Sequence, residues 1–231
     1  MTEQTIAVIG GTGAEGGGLA LRLAAAGRRV VIGSRDAAKA AEAAGNLREK
    51  LTAAGRDVPA DRLTGAASAD AVRAADIVLL TVPFAAQQST ALGLSAELSG
   101  KILVDATAPL APPRVWEVNL PNGRSAVAAL QETLGPLVRV VAAFQNVSAH
   151  HLTDLDHDLD CDVLVCGDDT EARAAAIALI EAVGLRGIHA GGVQNAAAAE
   201  AMTSLLIAVN RAYKVKGAGI RITGLGGSHA A

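Results

Sequence analysis

Residues 5–16 read TIAVIGGTGAEG, and they are the strongest indication of the fold class in this chain. It begins with an apolar run typical of a buried strand, and the turn that follows contains Gly11, Gly13 and Gly16. The apolar residues at 19–24 then predict a helix. In such a strand–turn–helix unit the first glycine permits a tight turn, the second lets the backbone approach a pyrophosphate, and the third allows close packing. The stretch therefore predicts a dinucleotide site, with the phosphates at the helix N-terminus.

Strands and helices alternate through the rest of the chain. Short apolar runs predict strands at residues 29–32, 63–64, 76–81, 101–105, 138–143, 161–166 and 185–190. Predicted helices include residues 36–54, a short helix N-capped by Ser68, and residues 195–213. This alternation is typical of an α/β fold, a Rossmann-type doubly wound parallel sheet. We expect an NADP-binding domain at residues 1–150 and a smaller C-terminal unit, α/β passing to helical, at residues 151–231 for substrate binding and dimerisation.

The end of the second strand distinguishes between the two common dinucleotides. NAD-binding domains usually place Asp or Glu there, where the carboxylate binds the ribose hydroxyls. This chain has Ser34 and Arg35 instead, with Lys39 one helical turn later. A guanidinium, an ammonium and the hydroxyls of Ser34 and Thr12 suit a 2′-phosphate, which a carboxylate would repel. The alternative is ordinary solvated charge, but positive charge at a helix start opposes the helix dipole. The pattern predicts NADP(H).

A second motif follows the strand at residues 76–81. Thr81, Val82, Pro83 and Phe84 lie where a dinucleotide should cross the sheet, and Pro83 and Phe84 would form an apolar wall. A plain strand-to-helix turn, which proline also favours, is an equally good interpretation of this motif taken alone.

Composition excludes several classes of function. Of 231 residues, 51% are hydrophobic and 19% are charged, so a sizeable core is expected. A net charge of −3 and an aromatic content of 2% argue against nucleic acid and anionic membranes as partners. Cys161 and Cys166 fall on opposite faces of one predicted strand and are expected to be free thiols, as in a reducing cytoplasm. The polar start of the chain lacks a leader pattern, and we expect a cytoplasmic protein with a disordered tail at residues 226–231.

Longer sequence matches resemble the NADPH-dependent coenzyme F-420 reductase family. They are IAVIGGTG at residues 6–13, GLALRLA at 18–24, GSR at 33–35, DIVLLTVP at 76–83, VLVCGDD at 163–169, and Gly219-Ile220. The similarity spans nearly the whole chain. Members of this family move a hydride between NADP(H) and an 8-hydroxy-5-deazaflavin, so the resemblance implies NADP(H) as cofactor and coenzyme F-420 as co-substrate.

Motifs and resemblance together define two groups of site residues. The cofactor-binding group is Gly11, Thr12, Gly13, Ala14, Glu15, Gly16, Ser34, Arg35, Lys39, Thr81, Val82, Pro83, Phe84 and Ala149. The substrate pocket is Gln145, Asn146, Val147, Gly219 and Ile220, with residues 217–220 expected to close it. Gln145 is expected to donate a hydrogen bond to a ring carbonyl, and an amide cannot titrate. We predict no catalytic acid or base, because the cofactors carry the hydride chemistry.

Departures from the family pattern leave the second substrate open. Archaeal members carry His where this chain has Gln145, a bulkier aromatic where it has Phe84, and small residues where it has Lys214 and Lys216. The alternatives are an NADPH-dependent reductase of another acceptor, such as a flavin or a ferric ion, and a non-catalytic NADP(H)-sensing regulator. An enzyme is favoured because the C-terminal unit can close over the nicotinamide.

Three further segments are open to two interpretations each. Residues 106–123 hold four of the seven prolines and form either a functional loop or a surface excursion. The basic residues Arg211, Lys214, Lys216 and Arg221 are either a solvated helix end or a landing site for the anionic phospholactyl-glutamate tail of a deazaflavin. The histidines and aspartates of residues 150–162 lack any standard metal-ligand spacing, and we expect a solvated acidic loop without a metal.

The predicted helix at residues 195–213 is unusually apolar for a terminal helix. Its clustered apolar residues are Met202, Leu205, Leu206, Ile207 and Val209. We expect it to pack across a two-fold axis in a homodimer, as the resemblance also suggests, and burial against its own domain is the alternative. Small-molecule redox substrates are the other expected partners.

Overall fold

The computed structural model describes residues 4–225, so the predicted disordered tail lies outside the described residues. The strands are β1 (Thr5–Ile9), β2 (Arg29–Ser34), β3 (Leu63–Ala67), β4 (Ile77–Leu80), β5 (Ile102–Asp105), β6 (Arg139–Ala142), β7 (Asp162–Gly167) and β8 (Arg186–His189). The helices are α1 (Ala14–Ala25), α2 (Ala37–Ala53), α3 (Ser68–Ala74), α4 (Phe84–Gly93), α5 (Ser95–Leu98), α6 (Ala126–Leu134), α7 (Ala149–Leu152), α8 (Thr170–Val183) and α9 (Ala196–Tyr213). Within this range, no helix has the length and apolarity needed to cross a membrane.

The strands form one sheet in the order β3-β2-β1-β4-β5-β6-β7-β8. The first six strands are parallel to one another, whereas β7 runs antiparallel to β6, with Ala142 opposite Cys166. Strand β8 is parallel to β7 and closes the sheet. The predicted doubly wound α/β fold is confirmed, with the last two strands reversed. The division at residue 150 stays a prediction, since the C-terminal strands continue the same sheet.

Apolar layers cover both faces of the sheet. Along β1, Ile6 and Val8 belong to the layer that packs on α1, α2 and α8, while Ala7 and Ile9 belong to the layer that packs on α3 and α6. Alternate residues of a strand point to opposite faces, so a strand covered on both faces has apolar residues throughout. This is why the uninterrupted apolar runs of β1, β4 and β5 could be recognised in the sequence.

Two local predictions need correction. Ser68 does not cap α3 but is its first residue, and the capping position is occupied by Ala67 without a side-chain hydrogen bond. Strand β3 runs into α3 without a connecting residue, so no position is left for a polar cap. Cys161 precedes β7 instead of starting it, and both Cys161 and Cys166 are free thiols.

A buried arginine on α1 organises the irregular segment at residues 153–161. Arg22 is 9% exposed, and its guanidinium donates to the backbone carbonyl oxygens of His151, Leu152, Asp154, His157 and Val183. The His151 and Asp154 carbonyls also accept from the backbone N–H groups of Asp154 and His157, and the guanidinium adds a second donor to each. Arg22 therefore fixes the C-terminal half of the chain onto the helix that follows the glycine-rich turn.

Candidate dinucleotide site and acceptor pocket

The glycine-rich turn lies at the carboxyl end of β1, beside the carboxyl end of β4. Strand β1 is flanked by β2 on one side and β4 on the other, so the strand order reverses at this point. In open α/β sheets the ligand crevice lies outside the carboxyl ends of the strands at such a reversal. The residues that follow β1 and those that follow β4, including Thr81 and Pro83, therefore border one crevice.

The tight turn after β1 is made by Gly10, and not by Gly11 as the pattern predicts. Gly10 has φ +90°, a left-handed conformation that glycine adopts without strain. Gly11 serves packing instead, because a Cβ there would lie 3.0 Å from the side chain of Ile32. The third glycine fulfils its expected role: a Cβ at Gly16 would lie 2.3 Å from the Thr81 hydroxyl oxygen.

The Thr81 hydroxyl is already engaged within the protein. It donates to the Ile9 carbonyl oxygen at 2.9 Å, and the Thr81 backbone N–H donates to the same oxygen at 2.9 Å. Thr81 thus ties β4 to β1 under the glycine-rich turn. The Thr81 side chain forms part of the floor of the crevice, and its hydroxyl hydrogen is used in the hydrogen bond to Ile9.

The N-terminus of α1 is open to a ligand. Gly13 occupies the capping position and provides no side-chain hydrogen bond, and Thr12, Gly13 and Ala14 are exposed. The first N–H groups of a helix have no partners within the helix and carry a partial positive charge. An uncapped, exposed helix start fits the pyrophosphate of a dinucleotide.

The residues at the end of β2 fit a phosphate through their side chains. Ser34 is half-buried, while Arg35 and Lys39 are exposed and form no ion pair among residues 4–225. The N-terminus of α2 is closed by Asp36, whose carboxylate accepts from the backbone N–H groups of Ala38 (2.9 Å) and Lys39 (3.3 Å). This cap was missed in the sequence, although Asp is a favoured N-cap residue.

Two carboxyl groups lie close together at the carboxyl edge of the sheet. Glu15 is in the first turn of α1, and Asp105 is the last residue of β5. Burial, and secondly the negative charge of Asp105, raise the pKa of Glu15 to about 8. Burial also raises the pKa of Asp105 to about 6, against the opposing effect of hydrogen bonds from Thr107 and Gln87. At neutral pH Glu15 is therefore mainly protonated, and no local sequence pattern indicates this.

Asp105 is held by a buried hydrogen-bond network. Its carboxylate accepts from the Gln87 side-chain amide at 2.5 Å and from the Thr107 backbone N–H at 2.8 Å. Its backbone carbonyl accepts from the Gln145 side-chain amide at 2.7 Å. The Gln145 backbone carbonyl accepts in turn from the Thr203 hydroxyl of α9 at 2.7 Å. The ends of β5 and β6 are thus fixed to each other and to α9.

Gln145 has one buried atom without a partner, its side-chain oxygen Oε1. The residue is 3% exposed, and its amide nitrogen already donates to Asp105. A buried acceptor without a donor is costly, and such groups in native proteins call for an explanation. The free atom is an acceptor, so the expected role of Gln145 as a donor to a ring carbonyl is only partly compatible with this geometry.

A strained residue turns the chain at this point. Phe144 follows β6, is fully buried, and has φ +75°, a conformation uncommon for residues other than glycine. Next along the chain, Asn146 donates from its amide nitrogen to the Asp162 carbonyl at 2.6 Å, and its Oδ1 lacks a partner. Strain of this kind costs about 1–3 kcal/mol and is concentrated at functional sites.

A cavity of about 190 Å³ lies beside these residues. It contains the predicted pocket residues Asn146, Val147 and Gly219, together with Ser148, His151, His157, Leu159, Asp160, Cys161, Gly217 and Ala218. Gln145 and Ile220 do not line it. Ligand pockets usually measure about 300–1,000 Å³, so this cavity alone is too small to enclose a tricyclic ring. A larger surface groove of about 580 Å³ includes Arg139 and Asp168 and lies at the opposite edge of the sheet, away from the crevice.

The remaining predicted residues lie around the same edge. Val82 and Phe84 are half-buried and Pro83 is exposed, where β4 passes into α4. Ala149 begins α7, which packs so closely on α1 that a Cβ at Gly18 would lie 2.6 Å from the Leu152 side chain. The predicted residues thus lie at the carboxyl ends of β1, β2, β4 and β6, with Gly219 and Ile220 next to the start of β7.

Comparison with known proteins gives one family model that matches the N-terminal half and several relatives that match nearly the full length. A family model described as NADP oxidoreductase coenzyme F420-dependent matches residues 5–109. The F420-dependent NADP reductase of Methanothermobacter thermautotrophicus is 44% identical over 225 residues, covering 95% of each chain. That of Methanocaldococcus jannaschii is 43% identical over 227 residues, covering 95% of this chain and 98% of the other. A crystal structure of a protein from Arthrobacter sp. FB24 has a TM-score of 0.75 at 27% identity, and the match covers 95% of this chain and 99% of that one.

Proposed function

The chain belongs to the F420-dependent NADP reductase family, and on that premise we propose that it transfers a hydride between NADP(H) and the deazaflavin coenzyme F420. The observation that carries the proposal is the crevice between β1 and β4. There the uncapped, exposed start of α1 borders the strand reversal, and at the end of the neighbouring β2 lie Arg35 and Lys39, which form no ion pair with any residue between 4 and 225.

Two groups of residues suit the two kinds of phosphate in NADP(H). The exposed backbone of Gly13 and Ala14 suits the pyrophosphate, and Ser34, Arg35 and Lys39 suit the 2′-phosphate. Glu15, mainly protonated at neutral pH, adds no full negative charge beside the pyrophosphate. These features support NADP(H) as the cofactor over NAD(H).

The geometry of Gln145 is evidence for a binding site for a second ring at the carboxyl ends of β5 and β6. Its unpartnered Oε1 would accept a hydrogen bond from an N–H group, which both a deazaflavin ring and a nicotinamide carboxamide carry. We assign Gln145 to substrate positioning, with Asn146 and Val147 beside it and Gly219 and Ile220 as the closing segment.

The two substrates supply the redox chemistry, and the chain supplies their placement. Direct hydride transfer needs the two reacting carbons held about 3–3.5 Å apart with their ring faces parallel. The network of Asp105, Gln87 and Gln145 fixes the floor of the site, and the apolar side chains of Val82 and Phe84 help to exclude water. No acid–base residue is required for this step.

The test is isotopic. Purified protein is mixed with oxidised F420 and NADPH deuterated at the transferable C4 position, and the loss of deazaflavin absorbance is followed. We expect F420 to be reduced and to carry the deuterium at C5, with none lost to water. Absence of turnover, or loss of the label to solvent, would contradict the proposal. NADH serves as the matched control and is expected to react more slowly.

We also propose a homodimer formed through α9. Met202, Leu205 and Val209 follow one another at helical spacing, and Leu205 is 52% exposed. On the other side of the helix, Leu206 is buried against the chain's own core. An exposed apolar residue beside two half-buried ones supports a partner helix there.

The remaining expectations are proposals of the same kind. A cytoplasmic location is supported by the free thiols of Cys161 and Cys166. The assignment of residues 1–150 to cofactor binding and of residues 151–231 to substrate binding and dimerisation is supported by the position of the glycine-rich turn in the first part and of α9 in the second. Small redox molecules as partners, with no nucleic acid or membrane, remain predictions from composition and charge.

A further inference from the structure

Three cations at the C-terminal end of α9 have no carboxylate partners within residues 4–225. Arg211 is in the last turn of α9, Lys214 follows the helix, and Lys216 lies two residues further on. All three are exposed and form no ion pair within the described residues 4–225. The fourth cation of this segment, Arg221, is paired with Asp160. We refer to Arg211, Lys214 and Lys216 as the basic rim.

The basic rim adjoins the acceptor pocket through the backbone of residues 214–222, the C-terminal strap. Asn210 holds the start of the strap, because its side-chain oxygen accepts from the N–H groups of Gly217 (3.3 Å) and Ala218 (2.8 Å). Gly217 lies against His151, where a Cβ would approach the imidazole nitrogen to 2.2 Å. Further on, the Ile220 carbonyl accepts from the Asp162 backbone N–H at 2.8 Å. Lys216 is therefore the residue next to the cavity wall formed by Gly217.

Arg211 is held against the long loop of residues 106–123. Its guanidinium carbon lies 3.5 Å from the centroid of the Trp116 ring. This is a cation–π contact, which holds the guanidinium against the face of the indole ring. A guanidinium held in this way is orientated to bind a phosphate or carboxylate without losing much side-chain freedom.

The helix dipole explains only part of the positive charge of the basic rim. The negative end of the helix dipole favours a cation in the last turn, which accounts for Arg211. The effect falls off within that turn, so it does not account for Lys216, and neighbouring like charges repel each other. Two carboxylates of the adjoining segments have other partners: Asp160 pairs with Arg221, and Glu117 of the loop pairs with Arg114.

We propose that the basic rim binds the anionic tail of coenzyme F420, which carries a phosphodiester and glutamate carboxylates. The inference rests on the proposed function and extends it from the ring to the tail. With the ring placed at Gln145 and Asn146, the tail leaves the pocket past the C-terminal strap, where the cations lie. The rim thereby selects the tailed coenzyme over deazaflavin chromophores or flavins that lack the anionic groups.

The test compares F420 with its tail-less chromophore, the 5-deazaflavin called FO, which has the same ring. The variants are Lys216→Ala and Lys214→Asn; asparagine is chosen because Lys214 has φ +54°, which asparagine tolerates. We expect each variant to raise the KM for F420 about threefold and the double variant about tenfold, while the KM for FO stays unchanged. At high salt the KM for F420 should no longer differ between the wild type and the rim variants. Lys50→Ala, an exposed lysine at the far end of α2, is the matched control and should change neither KM.

A second readout does not depend on turnover. Trp116 is the only tryptophan of the chain, so its emission reports binding next to Arg211. F420 should change this emission at lower concentration than FO does. If the enzyme turns over both substrates with equal KM, and the rim variants leave both unchanged, the tail site is refuted while the proposed function stands. If neither deazaflavin is reduced, the proposed function itself is wrong, and the tail site falls with it.

Discussion

Replacement of Glu15 by Gln tests whether the protonated carboxyl group matters for cofactor binding. The pKa of Glu15 is raised to about 8, and the residue lies in the first turn of α1, where the pyrophosphate is proposed to bind. Ionised Glu15 would repel the pyrophosphate, so the protonated form should bind NADPH better. The protonated fraction falls from about 0.9 at pH 7 to about 0.1 at pH 9. We therefore expect the Kd of the wild-type protein for NADPH to rise up to about tenfold over this range.

The assay is a fluorescence titration of NADPH at several pH values between 7 and 9. Starting at pH 7 keeps Asp105, whose pKa is about 6, mostly ionised throughout. Glu15→Gln should bind NADPH with little dependence on pH, and Glu49→Gln, an exposed control on α2, should behave like the wild type. Equal slopes for the wild type and Glu15→Gln would refute the reasoning.

Thermal unfolding gives an independent check on the same group. A carboxyl whose pKa is raised in the folded state stabilises the fold fully below its unfolded pKa of about 4.5, and this contribution is lost as the pH rises through about 8. Glutamine does not titrate, so the Tm difference between Glu15→Gln and the wild type should shift in favour of the variant between pH 5 and pH 9. A difference that does not change with pH would mean that Glu15 is not titrating in this range.

Three further predictions follow from single contacts. Arg35→Ala should weaken NADPH binding by about 1.5–3 kcal/mol, tenfold or more, and leave NADH binding almost unchanged; equal losses would exclude a 2′-phosphate contact. Gly16→Ala should lower the free energy of unfolding by about 1–3 kcal/mol in denaturant titrations. The reason is that its Cβ would lie 2.3 Å from the Thr81 hydroxyl oxygen and 2.8 Å from the Gly10 carbonyl oxygen. A variant as stable as the wild type would show that the turn can relax. Leu205→Glu should convert the proposed dimer to a monomer in light scattering, and a monomeric wild type at micromolar concentration would end the dimer proposal.

The strands were predictable because a buried strand produces a continuous run of apolar residues in the sequence. Strands β1, β4 and β5 are covered on both faces, so residues 6–9, 77–80 and 102–104 are all apolar and each run stands out from its surroundings. The reversal of β7 against β6 was not predictable in this way. Strand direction depends on how the chain between the two strands crosses the sheet, and residues 143–161 contain no turn signal that specifies it.

The site was predictable in its residues more than in its chemistry. The turn at residues 10–16 and the pair Ser34 and Arg35 could be identified because each motif is local. The shift of the tight turn to Gly10, the positive φ of Phe144 and the raised pKa of Glu15 all depend on groups distant in sequence. Asp105 contacts Gln87 and Gln145, which lie 18 and 40 residues away, so its network follows only from the completed sheet.

The hydrogen bonds from Arg22 to residues 151–183 limit where the chain can be cut into fragments. A fragment ending at residue 150 would leave its buried guanidinium without any of the five carbonyl partners, all of which lie at residues 151–183. The same cut would bare the edge of β6 that pairs with β7, and an uncovered edge strand promotes association with other chains. The cofactor-binding part is therefore not an exchangeable module. Chimaeras with relatives should be joined so that Arg22 and the segment at residues 151–157 come from the same parent.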